Sequence, residues 1–122
     1  MKLHASSPAG ANTITAYGDD YVMVNGARRD SSVIVTAEQV VPWSAASFDA
    51  LSAEDFQGFN KLGVEIVLLG TGARQRFPHP RLTVALGAAR IGLEVMDLKA
   101  ACRTYNILVA EERKVALALL FE

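Results

Sequence analysis

Cysteine and histidine are scarce in this chain: Cys102, His4 and His79 are the only ones in 122 residues. A single cysteine excludes an intramolecular disulfide, so a reducing compartment is the simpler setting. The three residues also lack the spacing of a zinc site, and no metal is expected. Net charge is small as well. Twelve basic against thirteen acidic residues leave a net −1, without the basic excess that non-specific nucleic-acid binding requires, so no nucleic-acid partner is expected. Long apolar runs are missing: the longest, Val115 to Phe121, falls far short of the roughly 20 residues that span a bilayer. Met1 to Gly10 has neither the h-region of a secretory signal nor the arginines of a transit peptide. The expected location is the cytoplasm.

What is present describes a folded globular protein. Hydrophobic residues make up 51% and charged residues 20%, and a chain of this length builds its own core without disulfides or metal. Residues 1 to 12, small and polar, read as a loose arm, and residues 13 to 122 as one domain. Thr13 to Tyr17 and Tyr21 to Val24 flank the turn set Gly18-Asp19-Asp20, and Asn25-Gly26 offers a second tight turn. With Val33 to Thr36 and Val40 to Trp43, the first half reads as an antiparallel β-meander. Ser52-Ala53-Glu54-Asp55 has the form of a capping box, which starts a helix that buries Phe56 and Phe59 and ends at Gly63.

The second half alternates strands and helices. Val64 to Leu69 carries one charge, Glu65, and so reads as a strand covered on both faces. Leu82, Ala85, Leu86 and Ala89 repeat with helical period behind Pro78 and Pro80, and Gly92 is expected to close that helix. Leu93 to Met96 is the next strand and Asp97 a good N-cap. Leu98, Ala101, Cys102, Tyr105, Leu108 and Val109 then form one long apolar stripe. Right-handed crossovers place the strands of Val67 and Val95 side by side and parallel. The predicted fold class is α/β: a single compact domain with a central mixed β-sheet, helices packed on it and an N-terminal antiparallel meander.

The candidate chemistry gathers at the strand ends. Gly70-Thr71-Gly72 after a strand fits either a structural turn or a weak anion site, but lacks the further glycine or the Lys-Ser/Thr of a nucleotide loop. Arg74, Arg76, His79 and Arg81 form a basic cluster around Phe77, readable as solvated loop or as contact patch. Asp97 caps a helix or acts as a base at the mouth of the sheet. Arg103, Thr104 and Asn106 lie off the apolar stripe, where they either line a groove or form a polar outer face. Cys102 shares the phase of leucine and alanine and reads as core rather than nucleophile. Trp43 reads as packing. No catalytic residue and no cofactor are assigned.

Three stretches, Gly70-Thr71-Gly72, Gly92-Leu93-Glu94-Val95-Met96-Asp97 and Ala100-Ala101-Cys102-Arg103-Thr104-Tyr105-Asn106, together carry a resemblance. Gly26, Val33-Ile34-Val35 and Trp43 extend it over nearly the whole chain. The sequence resembles the small Mth938-like domain family, which includes mitochondrial respiratory complex I assembly factor three and many uncharacterised bacterial proteins. The resemblance implies a compact α/β domain with a mixed sheet, transfers no catalytic residue or cofactor, and suggests a bacterial chain. The function expected is a non-enzymatic protein-binding or assembly domain. Its contact surface would be Gly70, Thr71, Gly72, Arg74, Arg76, Asp97, Arg103, Thr104 and Asn106, and its partner a protein, membrane-associated or respiratory-complex assembly components included. The alternative is a binder of, or an enzyme on, a small anionic metabolite at the same edge. Edge strands leave a homodimer open.

Overall fold

The computed structural model describes residues 9–122. The first eight residues of the expected arm lie outside the described residues. Asn12, its last residue, is tied down: its N–H donates to the Ala37 carbonyl and its carbonyl accepts from the Tyr105 hydroxyl.

The described residues form eight strands, β1 (Ile14–Tyr17), β2 (Val22–Val24), β3 (Ala27–Arg29), β4 (Val33–Val35), β5 (Val40–Pro42), β6 (Ile66–Thr71), β7 (Gly92–Met96) and β8 (Val115–Leu120). Two α-helices, α1 (Val84–Ala88) and α2 (Leu98–Ala110), and two 3₁₀ segments, Ala53–Lys61 and Pro80–Thr83, complete the fold. This is a mixed α/β domain, as expected, but the meander of the first half is divided. β1, β2 and β3 form their own three-stranded antiparallel sheet, whereas β4 and β5 join the central sheet in the order β5-β4-β8-β6-β7. The division falls at the exposed stretch Asp30-Ser31, after β3, whose residues are all exposed.

Local chemistry explains the hairpins. Asn25 and Gly26 have φ of 52° and 83°, the paired positive values of the tight turn whose twist suits a two-residue hairpin. Thr36 Oγ1 accepts from Glu38 N–H and Gln39 N–H and so holds the turn between β4 and β5.

β6 runs parallel to both β7 and β8, while β8 is antiparallel to β4. β8 is buried at every residue, which accounts for its unbroken apolar sequence. Its Val115, Leu117 and Leu119 join α2 and the small sheet in one core. Ala116, Ala118 and Leu120 join Trp43, Phe56 and Phe59 in the other. Trp43 packs edge-on to both phenylalanines, with centroids 5.8 and 6.2 Å away, and its indole N–H donates to the Asp55 carbonyl at 2.9 Å.

Two expected helices differ in kind. The segment after Ser52 is a 3₁₀ helix, whose three-residue turn stacks Phe56 over Phe59 into the core. The Asp55 carboxylate reaches back to the Ser52 N–H at 2.9 Å. The helix expected over Leu82 to Ala89 is a 3₁₀ turn at Pro80–Thr83 followed by the short α1. Arg90, with φ of 58°, ends it, while Arg90 N–H donates to Gly87 and Ile91 N–H to Leu86. Gly92 therefore opens β7 rather than closing the helix.

α2 carries a long-range polar link to β1. Asn106 Oδ1 accepts from Ile14 N–H at 2.9 Å, and Asn106 Nδ2 donates to the Ile14 carbonyl at 2.7 Å. The side chain imitates a neighbouring strand and satisfies two backbone groups of β1 where Ile14 is buried. Asn106→Leu keeps the volume but strands both groups, so unfolding free energy should fall by about 2–4 kcal/mol. Urea denaturation checks this, and a change under about 1 kcal/mol would refute the clamp.

Candidate functional site

The carboxyl ends of β6 and β7 meet the start of α2, as the crossover argument required. Gly70 and Thr71 are strand residues rather than part of the turn. A Cβ on Gly70 would sit 2.6 Å from Leu119 Cδ2 and 3.2 Å from Ala101 Cβ, so glycine here lets α2 lie close on the sheet. Gly72 makes the turn together with Ala73. Its φ is +82°, and a Cβ there would sit 2.5 Å from the Glu122 carbonyl oxygen.

Thr71 latches the loop that follows. Its hydroxyl accepts from the Arg76 N–H at 3.0 Å and has the Arg74 and Met96 carbonyls at 2.5 and 3.2 Å. Arg76 is held again by its side chain, which pairs with Asp49 at 2.9 Å and lies over the Phe48 ring at 4.1 Å. Gln75 Nε2 donates to the Val95 carbonyl at 2.8 Å, which ties the loop to β7.

Asp97 is a cap. Its Oδ1 accepts from Ala100 N–H at 2.8 Å, while Leu98 N–H donates to the Gly72 carbonyl and Ala101 N–H to that of Asp97. Three of the N–H groups at this helix start, those of Leu98, Ala100 and Ala101, are thus engaged within the protein. A cavity of about 160 Å³ opens here, lined by Gly72, Ala73, Asp97, Leu98 and Lys99, with Gly18 and Asp19 from the β1–β2 hairpin on its far side. Lys99 Nζ bridges the two sides to Asp19 Oδ1 at 2.9 Å. The pairing lowers the Asp19 carboxyl and raises the Lys99 ammonium from their ordinary values, chiefly through that hydrogen bond.

The other expected site residues separate. Arg103 is exposed and donates to the Tyr17 hydroxyl at 2.9 Å. Thr104, half-buried, donates toward Met96 Sδ at 3.4 Å. Asn106 is only 4% exposed and committed to Ile14, so it lines no groove and forms no polar outer face. Gly70, Thr71 and Gly72 are also buried. Of the nine residues of the expected surface, Arg74 and Arg103 stand exposed, while Arg76, Asp97 and Thr104 are half-buried.

Gly18, Asp19, Ala73 and Lys99 were not singled out as site residues. Their signal was present only as a turn and as polar positions beside the apolar stripe. Docking of the small sheet against α2 brings them together. Cys102 is fully buried, and burial pushes its thiol up to about 12. Among the described residues no group of histidine, cysteine and carboxylate side chains is placed to hold a metal ion, and no helix is long and apolar enough to cross a membrane.

A family model described as "Protein of unknown function (DUF498/DUF598)" matches residues 14–120. The chain belongs to the DUF498/DUF598 family. It is 33% identical over 120 residues to the Bos taurus protein named "NADH dehydrogenase [ubiquinone] 1 alpha subcomplex assembly factor 3", covering 97% of this chain and 65% of that relative. The chain therefore spans less than two thirds of that relative's length. A crystal structure of a Bordetella parapertussis protein superposes with a TM-score of 0.87 at 41% identity, covering 94% of this chain and all of that one. A solution structure from Bordetella pertussis, described as a Mth938-like domain, gives 0.82 at 34% identity, covering 99% of this chain and 92% of that one.

This DUF498/DUF598 chain should show two properties of the site. Thr71→Val removes the latch at nearly constant volume, which should cost about 1–2 kcal/mol and speed hydrogen exchange at the Arg76 amide. Unchanged exchange there would refute the latch. Cys102 should resist iodoacetamide at about pH 8 in the folded chain and react after denaturation. The fold favours the protonated thiol, so its contribution is full below the ordinary value of 9.0 and is lost as pH climbs toward about 12. Alkaline denaturation of wild type and Cys102→Ala should diverge in that window.

Proposed function

We propose that this chain is a non-enzymatic assembly domain that holds a protein partner at the strand-end face, through Arg74, Asp97, Lys99 and Arg103. The observation that carries this reading is the commitment of the groups that chemistry would require. Asp97 caps α2, Asp19 is paired to Lys99, Thr71 latches a loop and the Cys102 thiol is buried with its proton held. An enzyme keeps a base or nucleophile poised with a perturbed pKa facing its substrate. Here the buried groups are shifted toward their neutral, inert forms.

Similarity to a protein named as a complex I assembly factor supports a respiratory-complex assembly component as the partner. The setting proposed is a bacterial cytoplasm, at the membrane surface where such complexes are built. Crosslinking and recovery of the tagged full chain from its own cells, with membranes retained, tests this. Respiratory-complex subunits or assembly proteins should be enriched over a tagged control. Lys99→Glu with Arg103→Glu should lower that recovery roughly tenfold, the order expected when charged anchors of an interface are reversed. An unchanged recovery, with circular dichroism showing a folded variant, would discard this face, and no enrichment at all would discard the assembly role.

A further inference from the structure

Between Glu65 and Glu94 the chain contains no acidic residue, yet it carries Arg74, Arg76, His79, Arg81 and Arg90. In a chain of net charge −1 this is a marked local imbalance. Arg76 alone is neutralised, by Asp49. Arg74, Arg81 and Arg90 are exposed and enter none of the ion pairs among the described residues.

Phe77 stands in the middle of this segment, 69% exposed and part of neither core cluster. Val84, just beyond, is 65% exposed. A single exposed apolar side chain is ordinary. What distinguishes Phe77 is that the backbone beside it is held. On one side Arg76 is fastened by its N–H to Thr71, by its guanidinium to Asp49 and by stacking on Phe48. On the other, Pro78 and Pro80 restrict φ, and His79 Nδ1 accepts from Arg81 N–H at 3.1 Å. The loop thus presents an aromatic side chain between arginines at small ordering cost, and these are the residue types that anchor interfaces.

We propose that Arg74, Phe77 and Arg81 form a docking surface for an acidic segment of a partner protein that carries an apolar side chain. The proposal rests on the reading of the chain as a protein-binding domain and names the chemistry of what it binds. Charge complementarity selects the acidic partner, because the unpaired arginines supply positive potential with no internal counter-charge. The apolar side chain covers Phe77. A membrane is the weaker fit, since interfacial binding needs a broad apolar helix face and this segment offers isolated side chains on a loop and a short helix.

The test is fluorescence anisotropy with the purified full chain and three labelled peptides. One alternates Asp and Glu with Leu, one replaces Leu by Ser, and one replaces the acids by Lys. The first should bind saturably and weaken as salt rises from about 0.05 to about 0.3 M. Arg74→Glu with Arg81→Glu should weaken it at least about tenfold. Phe77→Ser should remove the preference for the Leu peptide over the Ser peptide. Equal binding of the Leu and Ser peptides by wild type, insensitivity to the arginine reversals, or tighter binding to phosphatidylglycerol vesicles than to the Leu peptide would each overturn the proposal. Peptide binding without any recovered cellular partner would sink only the assembly reading. A recovered partner with no peptide binding would sink only this surface.

Discussion

The carboxamide of Asn106 on the Ile14 backbone is the contact on which the rest of the arrangement depends. It joins residues 92 positions apart and is buried. Without it, two backbone groups of β1 would face a helix that offers them no partner. Because it satisfies both, the three-stranded sheet can lie on α2 rather than extend the central sheet. That placement sets the Gly18-Asp19 hairpin against the helix start and creates the Lys99–Asp19 bridge. Tyr105 reinforces the same junction through Asn12, and Arg103 does so through Tyr17. About two turns of α2, from Lys99 to Asn106, thus serve assembly of the domain itself.

A similar economy governs the strand ends. Glycine at 70 lets α2 approach, glycine at 72 turns the chain, and the threonine between them closes the loop. Each feature that suggested an anion site has a structural duty. The N–H groups of Leu98, Ala100 and Ala101 are engaged by Asp97 and by the Gly72 carbonyl. What remains outward is the charge of Arg74 and Arg103 and, further along the loop, the Phe77 ring. The chain is similar both to a protein named as an assembly factor and to Bordetella proteins of the same fold.

Much of the fold was legible because it rests on local rules. Alternating apolar strands and a stripe of helical period marked β6, β7, α2 and β8 within a residue or two. Asp97 announced the start of α2 and Cys102 its buried face. The less regular pieces were less legible. A 3₁₀ and an α segment share the same apolar spacing over so few residues, so the sequence marked a helix after Ser52 and another after Pro80 without distinguishing their 3₁₀ form. Arg90 ends α1 in a conformation that favours glycine, which is why the nearby Gly92 seemed the natural stop.

By itself the sequence determined the class of fold, the order of its elements apart from β3, the burial of Cys102 and Trp43, and the meeting of the strand ends at Gly72 and Asp97. These follow from periodicity, capping and the handedness of crossovers, which act over short distances. Tertiary structure alone decided that the meander splits into two sheets, that Asn106 turns inward and that Asp19 faces Lys99. A polar residue beside an apolar stripe has the same local signature whether it meets water or a strand arriving from 92 residues away, and only the packed partner distinguishes the two.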